Sequence, residues 1–198
     1  MKNLLVTGFE PFGGENTNAS WRVVCALPDK IGEFNIIRRE IPVVFGKAAE
    51  HVIREAESVG AEVILCIGQA AGRAEITPEY IGINIQNASI PDNAGNKPEL
   101  VPVVPGGPDG IFTLLPVHRM AAAVSAEGIP CRVSYSAGTY VCNDTLYSLL
   151  EHYSGSIPVG FIHIPLLPEQ SDGVKPSIEL EKAEKALEIM IGSLNSDI

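Results

Sequence analysis

Asn3-Leu4-Leu5-Val6-Thr7-Gly8-Phe9-Glu10-Pro11-Phe12-Gly13-Gly14 is the stretch on which the fold turns. Its apolar opening is too short for a helix and predicts a buried strand over residues 3–7, ended at Gly8. The turn-rich loop that follows leads to an apolar segment, residues 19–27, which Pro28 stops and which Thr17 or Asn18 can cap, so a helix is expected there. Strand, glycine-rich turn and helix make the first half of an α/β unit.

The alternation continues along the chain. Residues 34–44 are rich in β-branched side chains and predict a strand; residues 47–58 have helical spacing and end before Gly60; residues 62–67 form another apolar strand. A loop over 68–78 precedes a strand expected at 79–86. Residues 87–110 are rich in proline and glycine and have no period, the pattern of a functional loop or an oligomer contact. Helices are expected at 120–127, 144–153 and 178–194, and strands at 132–135 and 159–164. The expected fold is therefore α/β: a single domain over residues 1–198, three-layered, with a twisted, largely parallel sheet flanked by helices. In such sheets chemistry collects beyond the carboxyl ends of the strands, here segments 8–14, 68–79, 136–144 and 163–170.

Composition narrows the function. With 198 residues, 45% of them hydrophobic and 19% charged, the chain has enough apolar surface for one well-buried core. Its 14 basic and 24 acidic residues give a formal charge of −10, a poor match for a phosphate backbone, so nucleic acid is not an expected partner. The start of the chain lacks a signal-peptide core, and no apolar run approaches the roughly 20 residues of a membrane span, so no membrane partner is expected. Cys25, Cys66, Cys131 and Cys142 show no paired spacing. They predict reduced thiols, a cytoplasmic setting and no metal site.

The glycine-rich loop does not bind phosphate by either common pattern. Counted from Gly8, a P-loop needs Lys where Gly14 stands, and a dinucleotide fingerprint needs Gly where Glu10 stands. Phe9 and Phe12 instead read as walls of an apolar pocket. Cys142, in Ser136-Ala137-Gly138-Thr139-Tyr140-Val141-Cys142-Asn143-Asp144, lies where a glycine turn feeds a helix. The helix N-terminus is expected to favour its thiolate and to supply backbone N–H groups for an oxyanion. Cys25, Cys66 and Cys131 read as structural.

A cysteine nucleophile needs a histidine base. His51, His118 and His152 fall on or beside helices, whereas His163 ends an expected strand just before Pro165, on the same sheet edge as Cys142. For the orienting acid, spacing leaves Glu79, Glu10 and Glu75 open, with Glu169, Asp144 and Asp172 as further competitors. A different class of function is also compatible with the fold: a non-peptidase α/β small-molecule-binding protein or a nucleoside phosphorylase-like enzyme, in which Cys142 is structural.

At these residues the chain resembles the pyroglutamyl peptidase I family, or pyrrolidone carboxyl peptidases, cysteine peptidases that remove N-terminal pyroglutamate. The resemblance runs from about residue 3 to about residue 190. It is carried by residues 6–14, by Gly68-Gln69-Ala70-Ala71-Gly72-Arg73, and by Ile76-Thr77-Pro78-Glu79 with Ile83-Asn84. Further along it is carried by Ile90-Pro91-Asp92-Asn93-Ala94-Gly95-Asn96, residues 138–143, residues 161–165 and Pro168-Glu169-Gln170. It implies a Cys142/His163/Glu79 triad and a pocket of Phe9, Phe12, Tyr140 and Val141, with Val43 a weaker candidate. Polar contacts are expected near Gln69 and Asn18, and an oxyanion site at the Cys142 backbone helped by Arg73.

Peptides with N-terminal pyroglutamate are the implied partners, a homotetramer or homodimer the implied assembly, and no cofactor is implied. The chain departs from the family's usual pattern at Tyr80, where Arg is common, at Gly82 for Ala, at Tyr140 for Phe, and at Asp144-Thr145-Leu146-Tyr147 for His-Leu-Phe-Tyr.

Overall fold

The computed structural model describes residues 1–194. Its central sheet is built from β1 (Lys2–Phe9), β2 (Lys30–Ile31), β3 (Phe34–Ile41), β4 (Val63–Gln69), β5 (Thr77–Pro78) and β8 (Val159–Ile164). The strand order is β2-β3-β1-β4-β8-β5. The four inner strands run parallel, while β2 and β5 close the two edges antiparallel. A separate antiparallel pair joins β6 (Ile81–Ile83) to β7 (Gly110–Phe112). The five α-helices are α1 (Ala19–Ala26), α2 (Lys47–Val59), α3 (Val117–Ala126), α4 (Val141–Tyr153) and α5 (Leu180–Gly192).

Two apolar cores lie on the two faces of the sheet. One is filled from α1, α3 and α5 by residues such as Val23, Met120 and Leu187; the other from α2 and α4 by Val52, Leu146 and Leu149. That is the expected three-layer arrangement. β4 and β8 are buried on both faces, as central parallel strands must be, which is why they read as continuous apolar runs without alternation. Side-chain parity along β8 sends Phe161 to the α2/α4 face and Ile162 to the other, and His163 follows Phe161. From β1 the chain passes to β3 on one side, and then through α2 to β4 on the other. The crevice beyond the carboxyl ends of β1 and β4 is thus a topological switch point, the expected place for a ligand.

Several expected elements differ. The strand predicted over 34–44 stops at Ile41 because Pro42 has no N–H to donate. The strand expected at 79–86 is divided: β5 ends at Pro78, the chain turns at Glu79, and β6 covers only Ile81–Ile83. At the end of β6 the Asn143 side chain holds the backbone of Ile83 and, beyond it, the carbonyl of Ile85. The strand expected at 132–135 is reduced to the isolated bridges Ile76↔Cys131 and Glu79↔Ser134, since Pro78 removes a donor from that edge. Helices α3 and α4 each begin three residues earlier than periodicity indicated, which brings His118 and Cys142 into first turns. Cys25, read as a buried structural thiol, is exposed on α1. Residues 195–198 of the expected domain lie outside the described residues.

Close approach of α1 to β1 depends on Gly8. A Cβ there would lie 2.6 Å from Trp21 Cα and 2.7 Å from Trp21 N. Gly8→Ala is therefore expected to lower stability by about 1–3 kcal/mol, the usual range for an overpacked core. Thermal unfolding checks this: each kcal/mol corresponds to about 2–4 °C in Tm for a chain of this size.

Candidate active site

Three strand ends and one helix start converge at the switch point. β1 ends in Phe9 and continues to Phe12, β4 ends in Gln69 and continues to Arg73, β8 brings His163, and the first turn of α4 brings Val141 and Cys142, with Tyr140 as its N-cap. All of these residues line one cavity of ≈ 210 Å³, together with Asn18, Val43, Ala70 and Ala137. The space suits a small ring better than a drug-sized ligand, which takes about 300–1,000 Å³. Cys142 and His163, far apart along the chain, are thus walls of the same small chamber.

The acid left open by spacing is placed by hydrogen bonding. Glu79, with no exposed surface, pairs its Oε1 with His163 Nδ1 at 2.7 Å. Arg73 Nη1 donates to the same oxygen at 2.6 Å, and its Nη2 donates to the Ser136 carbonyl at 3.0 Å. The other acids are engaged elsewhere. Glu10 accepts from Val43 N and Asn93 Nδ2, Glu75 pairs with Arg132, and Glu169 pairs with Arg22. Asp144 accepts from Gly46 N and Gln86 Nε2, and Asp172 caps its own loop by accepting from Val174 N and Lys175 N.

Burial governs the protonation of this cluster. It pushes the Cys142 thiol up to about 12, with the Glu79 charge adding to the rise and Arg73 opposing it. The expectation of a resting thiolate is therefore corrected: the helix N-terminus, including the N–H of Cys142 itself, does not outweigh desolvation. Burial likewise holds His163 below its ordinary value, although Glu79 pulls the other way. Burial also raises Glu79, but the His163 hydrogen bond and the charges of His163 and Arg73 outweigh it and leave the carboxyl below the usual range. The resting site is neutral thiol, neutral imidazole and carboxylate. With Nδ1–H donated to Glu79, the imidazole keeps Nε2 as its basic nitrogen.

Local sequence explains why these groups sit so closely. Gly68 is the register partner of His163, and a Cβ there would lie 2.7 Å from the Phe161 ring and 3.0 Å from His163 Cδ2. Phe161 also packs against His163, with ring centroids 4.9 Å apart. Gly138, at φ +82°, makes the turn that delivers the start of α4. No N-cap side chain bonds to the start of α4, whose first turn carries the cavity-lining Val141 and Cys142.

The polar wall residues divide by role. Asn18 caps α1: its Oδ1 accepts from Ser20 N and Ser20 Oγ, and its Nδ2 donates to the Glu10 carbonyl. Its amide is engaged inside the protein. Gln69 Oε1 accepts from Ala19 N and from Gln170 Nε2, which fixes the amide with Nε2 free to donate. On the apolar side Tyr140 lies between Phe12, at 6.2 Å between centroids, and Phe45, at 5.3 Å edge to face. Asp144, weighed by sequence as an orienting acid, instead ties α4 to Gly46 and Gln86, and sequence reasoning missed Phe45, the hold of Asn143 on the β6 backbone and the packing need at Gly68. Only the last had a visible signal, a glycine interrupting an otherwise apolar strand.

Comparisons with known proteins agree with this geometry. A family model described as pyroglutamyl peptidase matches residues 2–196. A pyrrolidone-carboxylate peptidase of Escherichia fergusonii is 44% identical over 196 residues, covering 96% of this chain and 92% of that protein. One of Bacillus cereus is 46% identical with the same coverage. Among solved structures, the Bacillus amyloliquefaciens pyroglutamyl peptidase I superposes with a TM-score of 0.94 at 41% identity, covering 98% of this chain and 97% of that one. A substituted pyrrolidone carboxyl peptidase from Pyrococcus furiosus gives 0.93 at 37% identity, covering 99% of each. The phosphorylase-like and simple binding readings are thereby set aside, and with the match spanning nearly every residue, the chain belongs to the pyroglutamyl peptidase family.

Proposed function

We propose that Cys142, His163 and Glu79 are the nucleophile, base and orienting acid with which this cysteine peptidase removes pyroglutamate from the N-terminus of peptides. The observation that carries the assignment is the 2.7 Å Glu79–His163 hydrogen bond inside the cavity that Cys142 also lines. As Cys142 Sγ attacks the pyroglutamyl carbonyl carbon, its proton passes to His163 Nε2. Collapse of the tetrahedral intermediate expels the amine, which takes that proton, and leaves a thioester. Water deprotonated by His163 then attacks the thioester, and 5-oxoproline leaves as the Cys142 thiol is restored. In this mechanism the N–H groups at the start of α4 stabilise the oxyanion. Arg73, whose Nη1 is engaged by Glu79, supports that role from behind the acid.

Substrate selection follows from the walls. The lactam is compact and uncharged, so it enters the space between Phe9, Phe12, Tyr140 and Val141 without desolvating an ammonium. Gln69 Nε2 is the free donor for its ring carbonyl, and Asn18 acts by holding the loop that carries Phe9 and Phe12. Prolyl substrates carry a charged amine and no ring carbonyl, and are rejected on both grounds.

The finer setting is also a proposal. Four free thiols, one of them the nucleophile, fit a reducing cytoplasm. No helix among the described residues is long and apolar enough to cross a membrane. Residues 1–198 are taken as one catalytic domain, assembling into dimers or tetramers through exposed apolar residues such as Phe112 and Leu114.

Cys142→Ser should reduce hydrolysis of a pyroglutamyl amide at least about 10³-fold with the fold intact by circular dichroism; retained turnover would exclude the assignment. Glu79→Gln, which weakens the hold on the imidazole and its charged form, should lower kcat by about 10²–10⁴-fold. Because burial depresses His163, the base loses its proton below pH 6.5, and kcat/KM should rise through an acid limb below that value and stay level through neutrality. A second rise near pH 8–9, the range of an ordinary thiol, would contradict the raised thiol of Cys142.

A further inference from the structure

Residues 87–96 line none of the pocket, yet they bond to the segments that carry its apolar walls Phe12, Val43 and Tyr140. Asn87 N donates to the Thr139 carbonyl at 2.9 Å, and Thr139 Oγ1 returns a bond to the Asn87 carbonyl at 2.7 Å. The Tyr140 hydroxyl donates to the Pro91 carbonyl at 3.0 Å. Buried Asp92 takes the Phe45 N–H on Oδ2, while Oδ1 accepts from Ala94 N and Asn96 N, which closes the turn. Asn93 joins the two remaining walls. Its Nδ2 donates to Glu10 Oε1 at 2.8 Å and to the Pro11 carbonyl at 2.9 Å, and its N–H donates to the Val43 carbonyl at 3.0 Å. Glu10 Oε1 also accepts from Val43 N at 3.0 Å. One carboxylate oxygen and one amide therefore tie the Phe9/Phe12 loop to the Val43 turn.

We propose that this strap sets the width of the acyl pocket, and that Asn93 is its specificity-determining positioning residue, acting through Glu10 and Val43 to admit a five-membered lactam and exclude a larger ring. The inference rests on the lactam pocket proposed above. Three features support it. Phe12, Phe45 and Tyr140 lie on loops and at a helix start that the sheet does not hold, so their spacing depends on links of this kind. They form one row of rings, and the strap bonds beside each of them, at the Pro11 carbonyl, the Phe45 N–H and the Tyr140 hydroxyl. Lastly, Tyr140 stands where the resemblance leads one to expect Phe, and its hydroxyl reaches the strap, so the link to Pro91 belongs to this chain. In a shaped apolar pocket one methylene changes discrimination by about 10- to 200-fold, enough for wall spacing to decide between rings.

The test titrates the whole protein with 2-pyrrolidinone and with 2-piperidone, its six-membered homologue, and measures kcat and KM on a pyroglutamyl amide. Wild type should prefer the smaller ring. Asn93→Ala should narrow that preference about three- to tenfold and raise KM more than it lowers kcat, as expected for loss of two exposed hydrogen bonds. Tyr140→Phe, which removes a single bond and leaves the ring in place, should narrow the preference in the same direction. An unchanged preference in both variants, or an equal loss of affinity for both lactams, would overturn the proposal, because a strap that only stabilises the fold does not distinguish ring sizes. The lactam titrations need no turnover, so they decide this inference even where the amide assay fails.

Discussion

A carboxylate with no solvent-exposed surface is tolerated in this protein only because two donors meet it. Glu79 loses its hydration on folding, and the His163 ring N–H and the Arg73 guanidinium replace that water at 2.7 and 2.6 Å. Much of the surrounding architecture serves this cluster. Antiparallel pairing of β5 with β8 puts Thr77 opposite His163 and so brings Glu79 to the imidazole, while the loop after β4 returns Arg73 from the far side. Loss of Arg73 would leave the buried carboxylate without its compensating charge, far more costly than the net contribution of an exposed ion pair.

The same burial that demands those donors also acts on the proposed nucleophile. It pushes the thiol of Cys142 up to about 12 and holds His163 below its ordinary value. In the proposed mechanism, proton transfer from sulfur to nitrogen is therefore coupled to attack on the carbonyl.

The apolar part of the site has a different support. The sheet positions His163 and Gln69 rigidly, but Phe12, Val43, Phe45 and Tyr140 stand on loops and at a helix start. Their positions are tied together by Glu10, Asp92, Asn93 and the Tyr140 hydroxyl, polar groups behind the walls. This separation gives each part its own tolerance: His163 and Gln69 are held by strands, and the shape of the apolar walls by loop-to-loop hydrogen bonds.

Local pattern was enough to reveal the α/β alternation, the central strands β1, β4 and β8, the helix starts that bear Asn18 and Cys142, and a histidine at a strand end. Those features depend on periodicity and on turn chemistry, which are written in neighbouring residues. It also separated Cys142 from the other thiols, because a glycine turn before a helix is a local signal. What it left open was the acid: Glu79, Glu10 and Glu75 are equivalent by spacing, and motif likeness, not spacing, singled out Glu79. Only the tertiary fold pairs Glu79 with His163, assigns Glu10 to the Val43 turn and Glu75 to Arg132, and raises the thiol that the helix end alone would have lowered. Each of these outcomes depends on desolvation and on partners brought from distant segments, and neither can be read from the residues adjacent in the chain.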